Sequence, residues 1–184
     1  PIFLSVGYAS CHWCHVMAHE SFENKDTAVL MNEKFINIKV DREERPDLDN
    51  VFQKSLAILT GVPGGWPLSM FLDENAVPFS GGTYFPPEEM QGRPSFTNVL
   101  NQVSDFYKKN RDKIIQQASE LKNVFQKDQK KSSVISQNLN PHLEAMLNYV
   151  DFEWGGFKGS PKFPQFYVFE SFLHFYKKNK NTKY

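Results

Sequence analysis

The sequence predicts an α/β fold, a central mixed sheet flanked by helices with a helical extension at the C-terminal end. Three observations carry this. Short apolar runs alternate with amphipathic stretches in the order β-α-β-α-β-β as far as Phe79. A Cys-x-x-Cys pair, Cys11 and Cys14, sits where the first strand gives way to the first helix. Pro67 stands immediately before the third strand. The chain of 184 residues has room for one domain of ordinary size and an appendage.

Ile2-Phe3-Leu4-Ser5-Val6-Gly7-Tyr8 is mostly apolar and reads as a buried strand. Ala9-Ser10 turns the chain, and Ser10 or Cys11 caps a helix running to about Phe22. Asp26 to Phe35 is a second helix, with Ala28, Val29, Met31 and Phe35 at helical spacing. Ile36-Asn37-Ile38-Lys39-Val40 alternates and is the second strand. After the charged loop Asp41-Arg42-Glu43-Glu44-Arg45, Pro46 opens a helix at the position where proline is favoured. Its apolar stripe is Leu48, Val51, Phe52, Leu56 and Leu59, and Gly61 ends it. Gly64-Gly65-Trp66-Pro67 turns into the strand Leu68 to Leu72, and Asp73-Glu74-Asn75 leads to a short strand near Val77-Pro78-Phe79. The crossovers are long enough for parallel pairing, followed by a hairpin.

From Ser95 to about Lys127 an amphipathic pattern breaks into two helices at Lys108 to Lys113. The expected domains are therefore 1–128, a polar linker 129–140, and a helical segment 141–184 with a Gly/Pro-rich loop between Gly155 and Pro164. That last segment is expected to bury little by itself.

The two cysteines fall within four residues, so they serve chemistry or metal rather than stapling. At the start of a helix, unpaired N–H groups favour an anion, so the outer thiol ionises more easily. Cys11 is then the attacking thiolate, and Cys14, one turn in and expected to be more buried, resolves the mixed disulfide. A cationic His12 between them supports the thiolate, and Trp13 is a surface or substrate-contact ring. Two rivals share these letters. Cys11-His12-Trp13-Cys14-His15 matches the haem c attachment pattern, but a site wedged between strand and helix offers no haem pocket. Zinc could take Cys11, Cys14, His15 and His19, the two histidines four residues apart on one helix. The remaining reading is two buried small apolar side chains.

This combination gives a thioredoxin-like fold. In such folds a cis-proline precedes the third strand and faces the cysteine pair, and the residue before it pairs with the substrate chain, which assigns those parts to Pro67 and Trp66. No cofactor is expected.

With these pieces in place the chain resembles the YyaL / spermatogenesis-associated thioredoxin-like family. The resemblance rests on Pro1 to Tyr8, Cys11 to Met17, Glu20-Ser21-Phe22, Val40 to Asp47, Gly64-Gly65-Trp66-Pro67 and Gly82-Thr83-Tyr84-Phe85-Pro86-Pro87. Gly155-Gly156-Phe157 and Pro161-Lys162-Phe163-Pro164 resemble the opening of that family's second domain, an α/α barrel. The resemblance implies a longer protein and an oxidoreductase-like site, but no substrate. Ala18-His19 stands where the family tends to have Glu-Arg, and Gly61-Val62-Pro63 is also a departure. Ordinary thioredoxins carry a buried Asp six residues before the first cysteine, where this chain has Ser5. Asp41, Glu43 or Glu44 could replace it through water, or that cluster is a solvated loop with ion pairs of little energetic weight.

The leading expectation is a thiol-disulfide oxidoreductase acting on a protein or small-molecule disulfide or dithiol. The alternative is a binding or regulatory module docked on the protein's own C-terminal domain, with Gly82 to Pro87 as contacts. The chain has 21 basic and 21 acidic residues, so no sequence-wide attraction draws it to nucleic acid or to an anionic membrane. No charged region, apolar run and cleavage site of a secretory signal are visible, which makes the cytoplasm the default location.

Overall fold

The computed structural model describes residues 1–90, 92–129, 140–160 and 162–180. Strand β1, Ile2–Gly7, alternates Phe3 and Ser5 to one side with Ile2, Leu4 and Val6 to the other, so it is packed from both faces. It lies at the centre of a four-stranded sheet of order β2-β1-β3-β4, with β2 Ile36–Asp41, β3 Leu68–Leu72 and β4 Pro78–Gly82. β1 and β2 run parallel, with Ser5 level with Lys39 and Gly7 with Asp41. β3 is antiparallel to β1, with Val6 level with Leu68. The second crossover therefore departs from the parallel pairing expected of it. The segment after Gly61 returns the chain to the end of the sheet where β1 leaves it, so β3 starts there and runs back. The predicted mixed sheet flanked by helices is the architecture found.

The face carrying Phe3 is covered by α2 (Lys25–Lys34), α4 (Phe96–Lys109) and the start of α5 (Arg111–Gln129). Phe3, Met17, Met31, Phe35, Phe71, Phe96 and Leu100 form the larger core there. The opposite face is closed by α3, Pro46–Thr60, whose Phe52 and Leu56 pack on Leu4, Val6, Leu68, Met70 and Leu72. Val51, expected on that stripe, is instead 46% exposed. Local chemistry sets the ends of these helices. Asn24 Oδ1 accepts the Thr27 N–H at 3.0 Å and Ser95 Oγ accepts the Asn98 N–H at 3.2 Å. Gly61 closes α3 at φ 75°, a left-handed conformation glycine adopts without a Cβ clash. The long amphipathic pattern breaks at Asn110, within the expected interval.

The first helix differs from expectation. α1 spans only His12–Met17, and the chain continues through Ala18–Phe22 as a π-helix. That wider turn changes the faces presented by the residues after Met17.

The chain divides into two compact units, Pro1–Lys131 and Ser132–Tyr184. Of the linker expected at 129–140, residues 130–139 lie outside the described residues, and its two end residues, Gln129 and Asn140, are helical. In the second unit, α6 (Asn140–Leu147) and α7 (Phe166–Asn179) enclose Leu143, Val150 and Phe172, with Phe157 and Phe169 packed on them. This corrects the expectation that the segment buries little: its aromatic residues make a small core of their own. Lys162 Nζ ties the Asp151 to Phe157 loop, meeting Asp151 Oδ2 at 2.7 Å and the Phe157 carbonyl at 2.8 Å. That ammonium, with the Trp154 and Glu153 N–H groups, holds the Asp151 carboxyl down at about 2. Among the described residues no helix is long and apolar enough to cross a membrane.

Candidate functional site

Gly7 ends β1, and Cys11 is the N-cap of α1, its N–H donating to the Tyr8 carbonyl at 3.1 Å. The Cys14 N–H donates to Cys11 Sγ at 3.2 Å, and Cys11 and Cys14 form a disulfide with Cα atoms 5.3 Å apart. That N–H is the kind of donor that favours an ionised sulfur at Cys11. The order of exposure is the reverse of the expected one. Cys11 is buried, 4% exposed, whereas Cys14 is half-buried and lines an open cleft. As the N-cap, Cys11 is drawn under the turn that its own N–H closes, and the outward side of the disulfide falls to Cys14.

Because Leu68 is level with Val6, Pro67 lies level with Gly7, beside the cysteine pair, and the Trp66–Pro67 peptide bond is cis. Sequence reasoning named Trp66 but missed what holds it. Its indole N–H donates to Asp49 Oδ1 at 2.8 Å, its ring lies 4.1 Å from the Arg42 guanidinium, and Tyr8 meets it edge-on at 5.8 Å. Arg42 Nε also faces Asp49 Oδ2 at 3.5 Å. Gln53 reaches from the same helix to the Gly65 carbonyl at 3.1 Å. The charged loop is thus more than a solvated surface: Arg42 is built into the site, while Arg45 pairs with Asp47 in solvent. A signal for Asp49 existed in the sequence, since it shares a helical face with Phe52 and Leu56, three and seven residues on. Asp49→Ala is expected to cost about 1–3 kcal/mol in denaturant unfolding, because it strips a half-buried indole N–H and a guanidinium of their acceptor. Loosening of Trp66 would appear in the same experiment as a shift in its fluorescence.

Trp13, 53% exposed, packs on Tyr84 at 5.1 Å between ring centres, and Tyr84 donates its hydroxyl proton to Glu20 at 2.6 Å. Burial and that carboxylate raise the Tyr84 phenol to about 12, so it remains a donor. Trp13, Tyr84 and Trp66 wall a groove of about 720 Å³ that also includes Gly64, Gly65 and Thr83. His12 is exposed beside Cys11, its ring edge-on to Trp13 at 5.6 Å.

The four residues of the zinc alternative are not gathered. His15 Nε2 donates to the Ala9 carbonyl at 2.7 Å, and His19, carried by the π-helical turn, meets Glu23 at 2.9 Å. Among the described residues no group of three or more His, Cys, Asp or Glu side chains could hold a metal ion.

Behind the disulfide lies a second cavity of about 410 Å³, lined by Ser5, Gly7, Cys14, Lys39, Asp41 and Glu44 among others. Gly7 is what lets the helix approach the strand there. A Cβ at Gly7 would stand 2.8 Å from Cys14 Sγ. Gly7→Ala is therefore expected to destabilise the protein by about 1–3 kcal/mol, the usual cost of overpacking. The urea midpoint of the oxidised protein checks it.

Residues 1–126 match the sequence profile of the family described as Thioredox_DsbH, protein of unknown function, DUF255. The chain belongs to this family. Among its relatives, uncharacterized protein B0495.5 of Caenorhabditis elegans is 41% identical over 170 residues, which cover 90% of this chain and 23% of that protein. Spermatogenesis-associated protein 20 of Homo sapiens is 40% identical over 172 residues, and that of Rattus norvegicus 40% over 172, each covering 89% of this chain and 22% of the relative. The chain thus spans less than a quarter of the length of the curated relatives it matches. The DUF255 match and the sheet order together make residues 1–126 a thioredoxin-like domain.

Proposed function

We propose that this domain is a thiol-disulfide oxidoreductase in which Cys11 is the nucleophile and Cys14 the resolving thiol. The observation that carries the reading is the Cys14 N–H donated to Cys11 Sγ at a strand-to-helix junction level with Pro67. A sulfur that receives a hydrogen bond is stabilised as thiolate, so Cys11, though the less exposed, is the better nucleophile and leaving group. His12 adds a positive charge nearby when protonated. The groove between Trp13, Tyr84 and Trp66 accommodates the chain or molecule that carries the disulfide, with Trp66 beside Pro67 as its contact. The substrate is a protein or small-molecule disulfide or dithiol. The location remains the cytoplasmic default.

The test is titration of the reduced protein by thiolate absorbance, combined with reduction of insulin. A Cys11 thiol ionising below about pH 7.5 together with turnover supports the reading. An ordinary thiol without turnover overturns it. The reduction potential of the pair then separates a reductase from an oxidant.

A second reading has its own observation. Phe152, Trp154 and Tyr167 of the second unit are 84%, 77% and 80% exposed. Aromatic rings in that state suit contact with further chain, in keeping with an α/α barrel begun at 141–184, on which the thioredoxin-like domain would act as a docked module. The loop Gly82 to Pro87 counts against assigning it wholly to such a contact, because its Tyr84 packs on Trp13 within the cysteine motif.

A further inference from the structure

The geometry points to Asp41 as the proton acceptor for Cys14, acting through water in the cleft behind the disulfide; this rests on the oxidoreductase reading. Cys14 must lose a proton before it can resolve a mixed disulfide, because the thiolate is the nucleophile. Ser5, which lines the cleft from β1, is a hydroxyl and cannot serve as a base at neutral pH. Asp41 is placed to do so. A side chain on Gly7 would run into Cys14 Sγ, so the sulfur sits directly over the Gly7 position. Gly7 is level with Asp41 on the neighbouring parallel strand, and level residues of adjacent parallel strands project to the same face about 4.8 Å apart. Asp41 therefore presents its carboxylate one strand over from the sulfur, on the same wall of the cleft. Its Oδ1 accepts the Glu43 N–H at 2.8 Å, which fixes its direction. The cleft of about 410 Å³ exceeds the ~30 Å³ share of one water many times over.

The other charged or titratable groups that line the cleft are Lys39, His15, Tyr8 and Glu44. Lys39, level with Ser5, is cationic and favours the thiolate once formed. His15 gives its Nε2 proton to the Ala9 carbonyl and keeps Nδ1 as an acceptor, so it is the competing base, and if it served, Asp41→Asn would leave resolution unchanged; Tyr8 is a phenol, and Glu44 is an exposed residue of the turn after β2. In the full sequence of events, Cys11 thiolate attacks the substrate disulfide and expels one substrate sulfur as thiolate. Cys14 passes its proton through water to Asp41, and its thiolate displaces the second substrate sulfur from Cys11. The Cys11–Cys14 bond forms, the two substrate sulfurs take up the two electrons, and Asp41 returns the proton to solvent.

The experiment uses the reduced chain and one equivalent of 5,5′-dithiobis(2-nitrobenzoate), whose first and second coloured thiolates report attack and resolution separately. Asp41→Asn keeps the Oδ1 acceptor for Glu43. It is expected to leave the first release unchanged and to slow the second roughly 100-fold or more at pH 7. The rate recovers above about pH 9, where the thiol ionises unaided. Glu44→Gln is expected to behave as wild type. An unchanged second release in Asp41→Asn, or one slowed equally at every pH, overturns the relay. A wild-type protein that releases no second equivalent would instead overturn the oxidoreductase reading itself, and the relay with it.

Discussion

Cys11→Ser is expected to bring reduction of insulin to the uncatalysed background, while Cys14→Ser accumulates a stable mixed disulfide at Cys11. The expectation follows from what each sulfur touches. Cys11 Sγ receives the Cys14 N–H at 3.2 Å, a donor that survives when the disulfide opens because it belongs to the helix backbone. Cys14 has no equivalent donor among its hydrogen bonds in the described residues and faces the cleft. Removing the stabilised thiolate therefore removes the attack, whereas removing the other thiol leaves attack intact and blocks only resolution. Mass spectrometry of the trapped adduct checks the order. A substrate adduct on Cys14 in the Cys11→Ser protein, formed as fast as the one on Cys11, would reverse the two roles. Full activity of the complete protein with both cysteines replaced would leave the docked-module reading in possession.

Phe3→Ala is expected to be the most damaging single change away from the site, lowering stability by about 3–5 kcal/mol. Phe3 is 1% exposed on the central strand, and its ring meets Phe71 at 5.3 Å, Phe96 at 5.5 Å and Phe22 at 6.1 Å. Those three rings come from β3, α4 and the π-helical turn, so the cavity left by alanine would lie where three elements converge and could not be closed by moving one of them. Domains of this kind are stable by about 5–15 kcal/mol, so the variant would retain a small part of that margin. Urea unfolding gives the number, and Phe3→Leu, which keeps most of the volume, should recover most of it. A loss below about 1 kcal/mol for Phe3→Ala would mean that this cluster does not pack as described.

Much of this was legible in the chain because the signals are local. An apolar run, a cap, a proline at a helix start and a glycine at a helix end act within a few residues, and the strands and helices fall within a few residues of their expected bounds. The Cys-x-x-Cys spacing and the strand before it placed the cysteine pair in the same way. The helix of residues 12–22 was legible as a helix but not as an α-helix that becomes π after Met17, since the widening depends on what the turn packs against. The zinc alternative drew His15 and His19 together on helical spacing alone, whereas His15 in α1 bonds back to Ala9 and His19 in the π-helical turn meets Glu23.

The sequence by itself determined the mixed α/β architecture and the Cys11–Cys14 pair at a strand-to-helix junction, because both follow from periodicity and short-range backbone rules, whereas Pro67 was set beside the pair only through the thioredoxin-like fold that those elements implied. Only the tertiary structure decided which sulfur is covered, what holds Trp66 and which carboxylate stands behind Cys14. Those depend on register between strands and on the seat of α3, which bring Asp49 to Trp66 across 17 residues and Asp41 level with Gly7 across the β1–β2 pairing. Such distances are set by the packing of whole faces against one another, and no pattern within a short stretch of chain encodes them.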